Sequence, residues 1–187
     1  MLARTALTVA LISSMGMAQA ENLQPLQQEG RQIAKEFLGQ LKPELKKAMK
    51  SGGPAHAIEV CYKKAPQIAA ELSEKTGWQL KRTSLKVRNP NNAPDEWEKQ
   101  VLQRFEQQKA QGTDPKTLEY VEVIEENGQK VFRYAKAIPT GKVCLVCHGT
   151  QVSEPLLKKI RSYYPEDQAT GFQPGDIRGI FSFKKAL

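Results

Sequence analysis

The chain has 187 residues and a formal net charge of +8, which is long enough for one domain with a genuine core. Its basic residues are spread along the sequence rather than massed in one block. That pattern reads as a solvated surface, and nothing resembles a nucleic-acid module, an internal repeat or a low-complexity tract.

The N-terminus carries one basic residue, Arg4, then an apolar run over 6–12, then small residues ending in Ala18-Gln19-Ala20. A basic start, a short apolar stretch and an A-x-A site form a secretory signal peptide, with cleavage expected after Ala20. The run is too short for a membrane span, and Ser13-Ser14 interrupts it. Residues 1–20 are therefore read as a signal peptide and 21–187 as a single domain of 167 residues and net charge +7. No later segment is apolar enough to cross a membrane, so the expected location is a bacterial periplasm or an equivalent compartment.

Residues 23–49 repeat apolar side chains at mostly fourfold spacing (Leu26, Ile33, Phe37, Leu41, Leu45, Met49), which predicts a helix, with a kink or restart at Pro43. Ser51-Gly52-Gly53-Pro54 is a break. A second helix is predicted over 55–64. A third begins at Pro66, runs to about 75 and is capped by Gly77. Residues 78–85 read as a strand, 88–94 as a Pro/Asn-rich loop and 95–110 as a helix. Two strands, 118–125 and 130–138, flank Asn127-Gly128, a strong hairpin signal. Ser153-Glu154-Pro155 starts a helix to 164, and 177–183 is a closing strand. Helices followed by mostly adjacent antiparallel strands predict an α+β fold with a small antiparallel sheet.

Between the hairpin and the last helix lies Cys144-Leu145-Val146-Cys147-His148, the CxxCH signature of c-type haem attachment. Two thiols add to the two vinyl groups of one porphyrin, and the adjacent imidazole binds the iron from one face. Two rivals use the same residues. A thioredoxin-type CxxC expects a βαβ setting, and here a hairpin precedes the motif. A zinc site completed by Cys61 or His56 would require the adjacent Cys147 and His148 to chelate one tetrahedral ion, an awkward arrangement.

Few residues can supply the opposite axial ligand. The methionines at 1, 15 and 17 go with the signal peptide, leaving Met49, and the remaining histidine and cysteine are His56 and Cys61. His56 and Cys61 are five residues apart on one predicted helix, about 140° around it, so they do not readily face one iron together. Ile58, Cys61, Ala65 and Ile68 form a mainly apolar set, while His56 sits beside the Gly-Gly-Pro break. Position favours Cys61. Ligation would also explain an otherwise unpaired thiol in an oxidising compartment. Arg82, with Lys86 and Arg88 nearby, is a candidate partner for a haem propionate, because arginine pairs bidentately with carboxylates. Trp78, Trp97, Phe132, Tyr134 and Phe181 are read as core, and Asp176 as a turn residue.

The segments 56–61, 77–78, 82–86, 88–94, 97–98, CxxCHG and Gly175-Asp176-Ile177-Arg178-Gly179 occur in this order. Together they resemble the exported bacterial c-type haem-binding family catalogued as a domain of unknown function. The resemblance covers nearly the whole chain after Ala20. It implies a PAS-like antiparallel sheet with an N-terminal helical segment and flanking helices. It also implies one covalent haem c, with axial ligation by His148 and an upstream cysteine, here Cys61. The cofactor-binding candidates are then Cys144, Cys147, His148, Cys61 and Arg82, with His148 and Cys61 as the metal ligands. Two strong axial ligands leave no open iron position, so an enzyme is not expected. The expected roles are redox or gas/redox sensing or, alternatively, low-potential electron carriage. The expected partners are a redox or signalling protein and a small gaseous ligand.

Overall fold

A computed structural model describes residues 22–187; the expected signal peptide and its cleavage site lie outside the described residues. The elements are α1 (Gln24–Thr76), β1 (Gln79–Thr83), α2 (Glu96–Ala110), β2 (Glu119–Glu126), β3 (Gln129–Pro139), α3 (Leu145–His148), α4 (Glu154–Tyr163) and β4 (Ile177–Ala186). The four strands form one antiparallel sheet in the order β1-β4-β3-β2. This is the α+β class expected from the sequence, with an N-terminal helical segment and flanking helices around the sheet.

The central strands are buried on both faces, and their twofold alternation divides the core. Phe132, Tyr134, Phe181 and Phe183 pack with Trp78 against Ile33, Phe37, Leu41, Ala65, Ile68 and Leu72 of α1. Ala135, Ala137, Ile177 and Ile180 instead pack against Val101, Leu102 and Phe105 of α2. Successive strand side chains point to opposite faces, so a few residues on two strands serve both layers. A third, smaller cluster seats α4 on the second half of α1 through Ile58, Ile160 and Tyr164.

α1 departs from helical geometry only at Gly52 and Gly53. Gly53 has φ 67° and ψ −166°, a conformation that favours glycine. The element is therefore two arms, both of which contribute to one core cluster, and Lys75 on the second reaches Glu36 on the first at 2.7 Å. The expected interruptions at Pro43 and Pro66 do not occur; both prolines sit inside helix. Each removes one backbone donor, and each is exposed, so water can reach the carbonyls left free. Gly77 caps the element with φ 72°, and its N–H donates to the Ser73 carbonyl.

The other local signals carry through. Asp95 and Glu98 form a reciprocal capping box at the start of α2. Asn127 and Gly128 take positive φ (53° and 79°), as a tight two-residue hairpin turn requires. Arg133, 2% exposed, bonds Asp95 and Glu126 at 2.8 Å each, tying the start of α2 to β3.

Gly179 on β4 leaves no room for a side chain against β1. A Cβ there would meet the backbone oxygen of Thr83 on β1 and lie 3.2 Å from the Ser84 Cβ. A backbone oxygen cannot swing aside as a flexible side chain can. Gly179→Ala should therefore destabilise the fold by about 1–3 kcal/mol. In urea unfolding this should appear as a lower midpoint at unchanged slope.

Candidate functional site

The five residues nominated from the sequence line one cleft. Cys61 comes from the second arm of α1, Arg82 from β1, and Cys144, Cys147 and His148 from the segment around α3. Leu41, Leu45 and Met49 from the first arm and Ala57 and Ile58 from the second complete an apolar wall. The cleft spans about 1380 Å³ including its open mouth. His56 is exposed and does not line it, whereas Met49 does.

The CxxCH segment owes its shape to its surroundings. α3 is a single turn, too short to persist alone. Cys144 and Cys147, three apart on that turn, lie on one side of it. The turn is docked on residues 169–172. The Phe172 N–H donates to the His148 carbonyl at 2.9 Å and the Gly171 N–H to the Gly149 carbonyl at 3.0 Å. The Phe172 ring stands edge-on to the imidazole with centroids 6.3 Å apart.

His148 Nδ1 lies 2.7 Å from the Ala169 carbonyl oxygen. A carbonyl only accepts, so Nδ1 carries the proton and Nε2 keeps its lone pair. This is the outer hydrogen bond that orients metal-binding imidazoles. Burial, reinforced by Arg178 and Arg88, pushes the His148 pKa down to about 2, so the ring is neutral and able to ligate.

Arg88 holds this arrangement together. Its guanidinium bonds both Asp167 oxygens at 2.9 and 3.1 Å and also reaches the Cys147 and Ala169 carbonyls at 2.7 and 3.2 Å. Arg88 and His148 thus share the Ala169 oxygen. Near Arg82 in sequence, Arg88 turns its Nε and Nη2 to Asp167 and the backbone.

Burial pushes the Cys61 thiol up, while Arg82 and Arg88 pull it down. Burial likewise raises Cys147. The Tyr164 phenol is pushed up to about 12 by burial and by Cys61 beside it. Among the described residues no three His, Cys, Asp or Glu side chains gather as a set for one metal ion. The zinc reading therefore lacks its ligand set, and the thiols and imidazole occupy one cleft without converging.

Two contributors were not foreseen. The Ala169 carbonyl carries no side-chain signal. Arg178 belongs to the Gly175–Gly179 run, from which the sequence singles out only Asp176; an arginine at the second position of a largely buried strand is the available clue. Asp176 is the turn residue expected. It accepts from the Gln173 N–H at 2.7 Å and pairs with Lys109 at 2.6 Å.

The fold and cleft define an α+β protein that presents two CxxC thiols, a third thiol, a neutral imidazole and arginines to one shared space. The chain belongs to the Tll0287-like family, whose pattern (Tll0287) matches residues 5–185. It is also similar to the crystal structure of the cyanobacterial heme-protein Tll0287, at 25% identity and a TM-score of 0.63, over 91% of this chain and 98% of that one. No curated protein is matched.

Removing the Arg88 clamp should loosen the motif. Arg88→Gln leaves the Asp167 carboxylate, whose side chain is 3% exposed, without its cation. The expected cost is about 3–5 kcal/mol, the range for breaking one side of a buried pair. Amide exchange at 147–149 and 171–172 should accelerate more than in the sheet core, read by hydrogen-exchange mass spectrometry.

Proposed function

We propose that the chain is an exported, periplasmic haem protein that carries one haem c bound covalently through Cys144 and Cys147, with His148 and Cys61 as axial ligands. We assign it to redox or gas/redox sensing. The observation that carries this reading is the meeting of CxxCH with Cys61 in one apolar cleft that also holds arginines. The Tll0287-like family and the likeness to a cyanobacterial heme-protein support it.

The residues present fit the group. Cys144 and Cys147 supply two thiols on one side of a turn. The Ala169 carbonyl fixes the His148 tautomer with Nε2 free. Burial raises the Cys61 thiol and Arg82 and Arg88 only offset part of that rise, so metal binding would supply the deprotonation. When bound, the haem supplies a ferric/ferrous couple, which a thiolate donor biases toward ferric. Met49 is on the same wall, but a neutral thioether would not explain a buried thiol flanked by two cations.

Matured protein should keep one haem by mass after acid-acetone extraction; loss of all of it would remove covalent attachment. Cys61→Ser should abolish the low-spin ferric thiolate signature in EPR and raise the potential, whereas Met49→Leu and His56→Ala should leave both near the parent. A parental spectrum in Cys61→Ser would return Cys61 to a core role.

Sensing requires that a ligand bind one state of the protein better than another. Cys61 should therefore yield its place when the reduced protein meets CO, and the ferric protein should resist weak ligands. CO titration of dithionite-reduced protein, followed by absorption, should show a saturable change. No change at saturating CO would favour the second reading, electron carriage for an acidic protein partner. One observation favours that reading. Lys35, Lys42, Lys46, Lys47 and Lys50 are exposed on the first arm of α1 and have no ion-pair partner among the described residues.

A further inference from the structure

Three arginines, Arg82, Arg88 and Arg178, line the cleft, and no aspartate or glutamate does. Their hydrogen bonding differs sharply. Arg88 is neutralised by Asp167, and its Nε and Nη2 are taken up by that carboxylate and two carbonyls. The Arg82 guanidinium makes no hydrogen bond among the described residues; it rests over the Phe37 ring, 4.9 Å from its centroid. Arg178 meets no carboxylate. Its Nε lies 3.2 and 3.5 Å from the two ring nitrogens of His148, of which Nδ1 is already committed to Ala169. Its Nη1 reaches the Lys86 carbonyl only at 3.5 Å.

A guanidinium offers five donors in a fixed fork and stays charged in proteins. Two of them, partly buried at a cleft wall with no anion beside them, are costly. They are also close enough to repel. Burial, then Arg88, then Arg82 push the Arg178 pKa down to about 10, and burial lowers Arg82 as well. Arg82 and Arg178 enter the cleft from β1 and β4, which are hydrogen-bonded neighbours. The cleft is therefore short of two negative charges at one place.

We propose that Arg82 and Arg178 form a dicarboxylate subsite that takes the two propionates of the haem, one guanidinium to each. This rests on the haem reading above and adds to it the residue Arg178 and the pairing. The charges then close. Two guanidinium cations meet two propionate anions. The single positive charge of ferric iron in a porphyrin dianion meets the Cys61 thiolate. Arg88 with Asp167 was already neutral. A desolvated site with zero net charge is one a low-dielectric interior can hold.

The test uses haem-matured protein carrying Arg82→Gln, Arg178→Gln or Arg178→Lys. Resonance Raman of the propionate bending bands and the midpoint potential from spectroelectrochemistry are the readouts. Each Gln variant should move one propionate band toward its unpaired position. Each should also lower the potential, because a cation beside the haem favours the reduced state. Arg178→Lys should restore most of the potential, and the thiolate EPR signature should persist in all three. Parental bands and potential in both Gln variants would overturn the subsite. So would an Arg178→Gln protein whose propionate bands stay parental while its axial-ligand EPR changes, since Arg178 would then only position His148. Matured protein with no haem at all would instead overturn the underlying reading, so the two failures are distinguishable.

Discussion

The cleft depends on a buried ion pair that does more than neutralise charge. Arg88 and Asp167 side chains are only 13% and 3% exposed. Taking such a pair from water costs several kcal/mol per ion, recovered only when the remaining donors find acceptors. Here Nη2 supplies part of that recovery, since it reaches the carbonyls of Cys147 and Ala169 as well as Asp167. One side chain thereby joins the loop after β1, the CxxCH turn and the loop after α4. α3 has no core of its own, and Val143 beside it is 61% exposed. Its position is therefore imposed from outside. The same Ala169 oxygen that Arg88 grips also sets the tautomer of His148, so a structural clamp and the chemistry of a metal-ligating nitrogen share one atom.

The place of the cleft follows from how the sheet uses its helices. β3 and β4 are buried on both faces, so α1 and α2 are each committed to covering one. What remains open is the space beside the bend of α1. Leu41, Leu45 and Met49 approach it before the break at Gly52-Gly53, and Ala57, Ile58 and Cys61 after it. A straight helix could not turn both stretches onto one space. The break also separates the fates of His56 and Cys61. They share an arm, but one turns to solvent and the other into the cleft, as their angular separation on a helix requires.

Much of this was legible because it is written in local chemistry. The Asn127-Gly128 hairpin and the Gly77 cap each depend on neighbours in sequence. The thiols, imidazole and Arg82 could be nominated by type and spacing, and the family pattern over 5–185 agrees with the resemblance those segments carry. The failures have equally physical causes. Proline removes a backbone bond, so the sequence predicts a kink or restart at Pro43 and a new helix at Pro66. Tertiary packing of Ile33, Phe37 and Leu41 on one side and Ala65, Ile68 and Leu72 on the other outweighs that loss. Ala169 and Asp167 were invisible because their roles arise from a backbone oxygen and a long-range pair. Arg178 was masked by its glycine-rich neighbours.

The net charge of +8 shows why counting charges says less than locating them. The lysines along the first arm of α1 stand in water, where each is solvated at little cost and screened within a Debye length. Arg82 and Arg178 contribute the same formal charge but are partly buried, with little or nothing in the protein to accept their protons. A lysine could supply the charge at either position but not the planar fork of donors that a guanidinium holds. The chemistry that selects arginine at a cleft wall is therefore the chemistry of carboxylate recognition, whereas the lysines of the first arm of α1 stand where only solubility or a passing acidic surface is at stake.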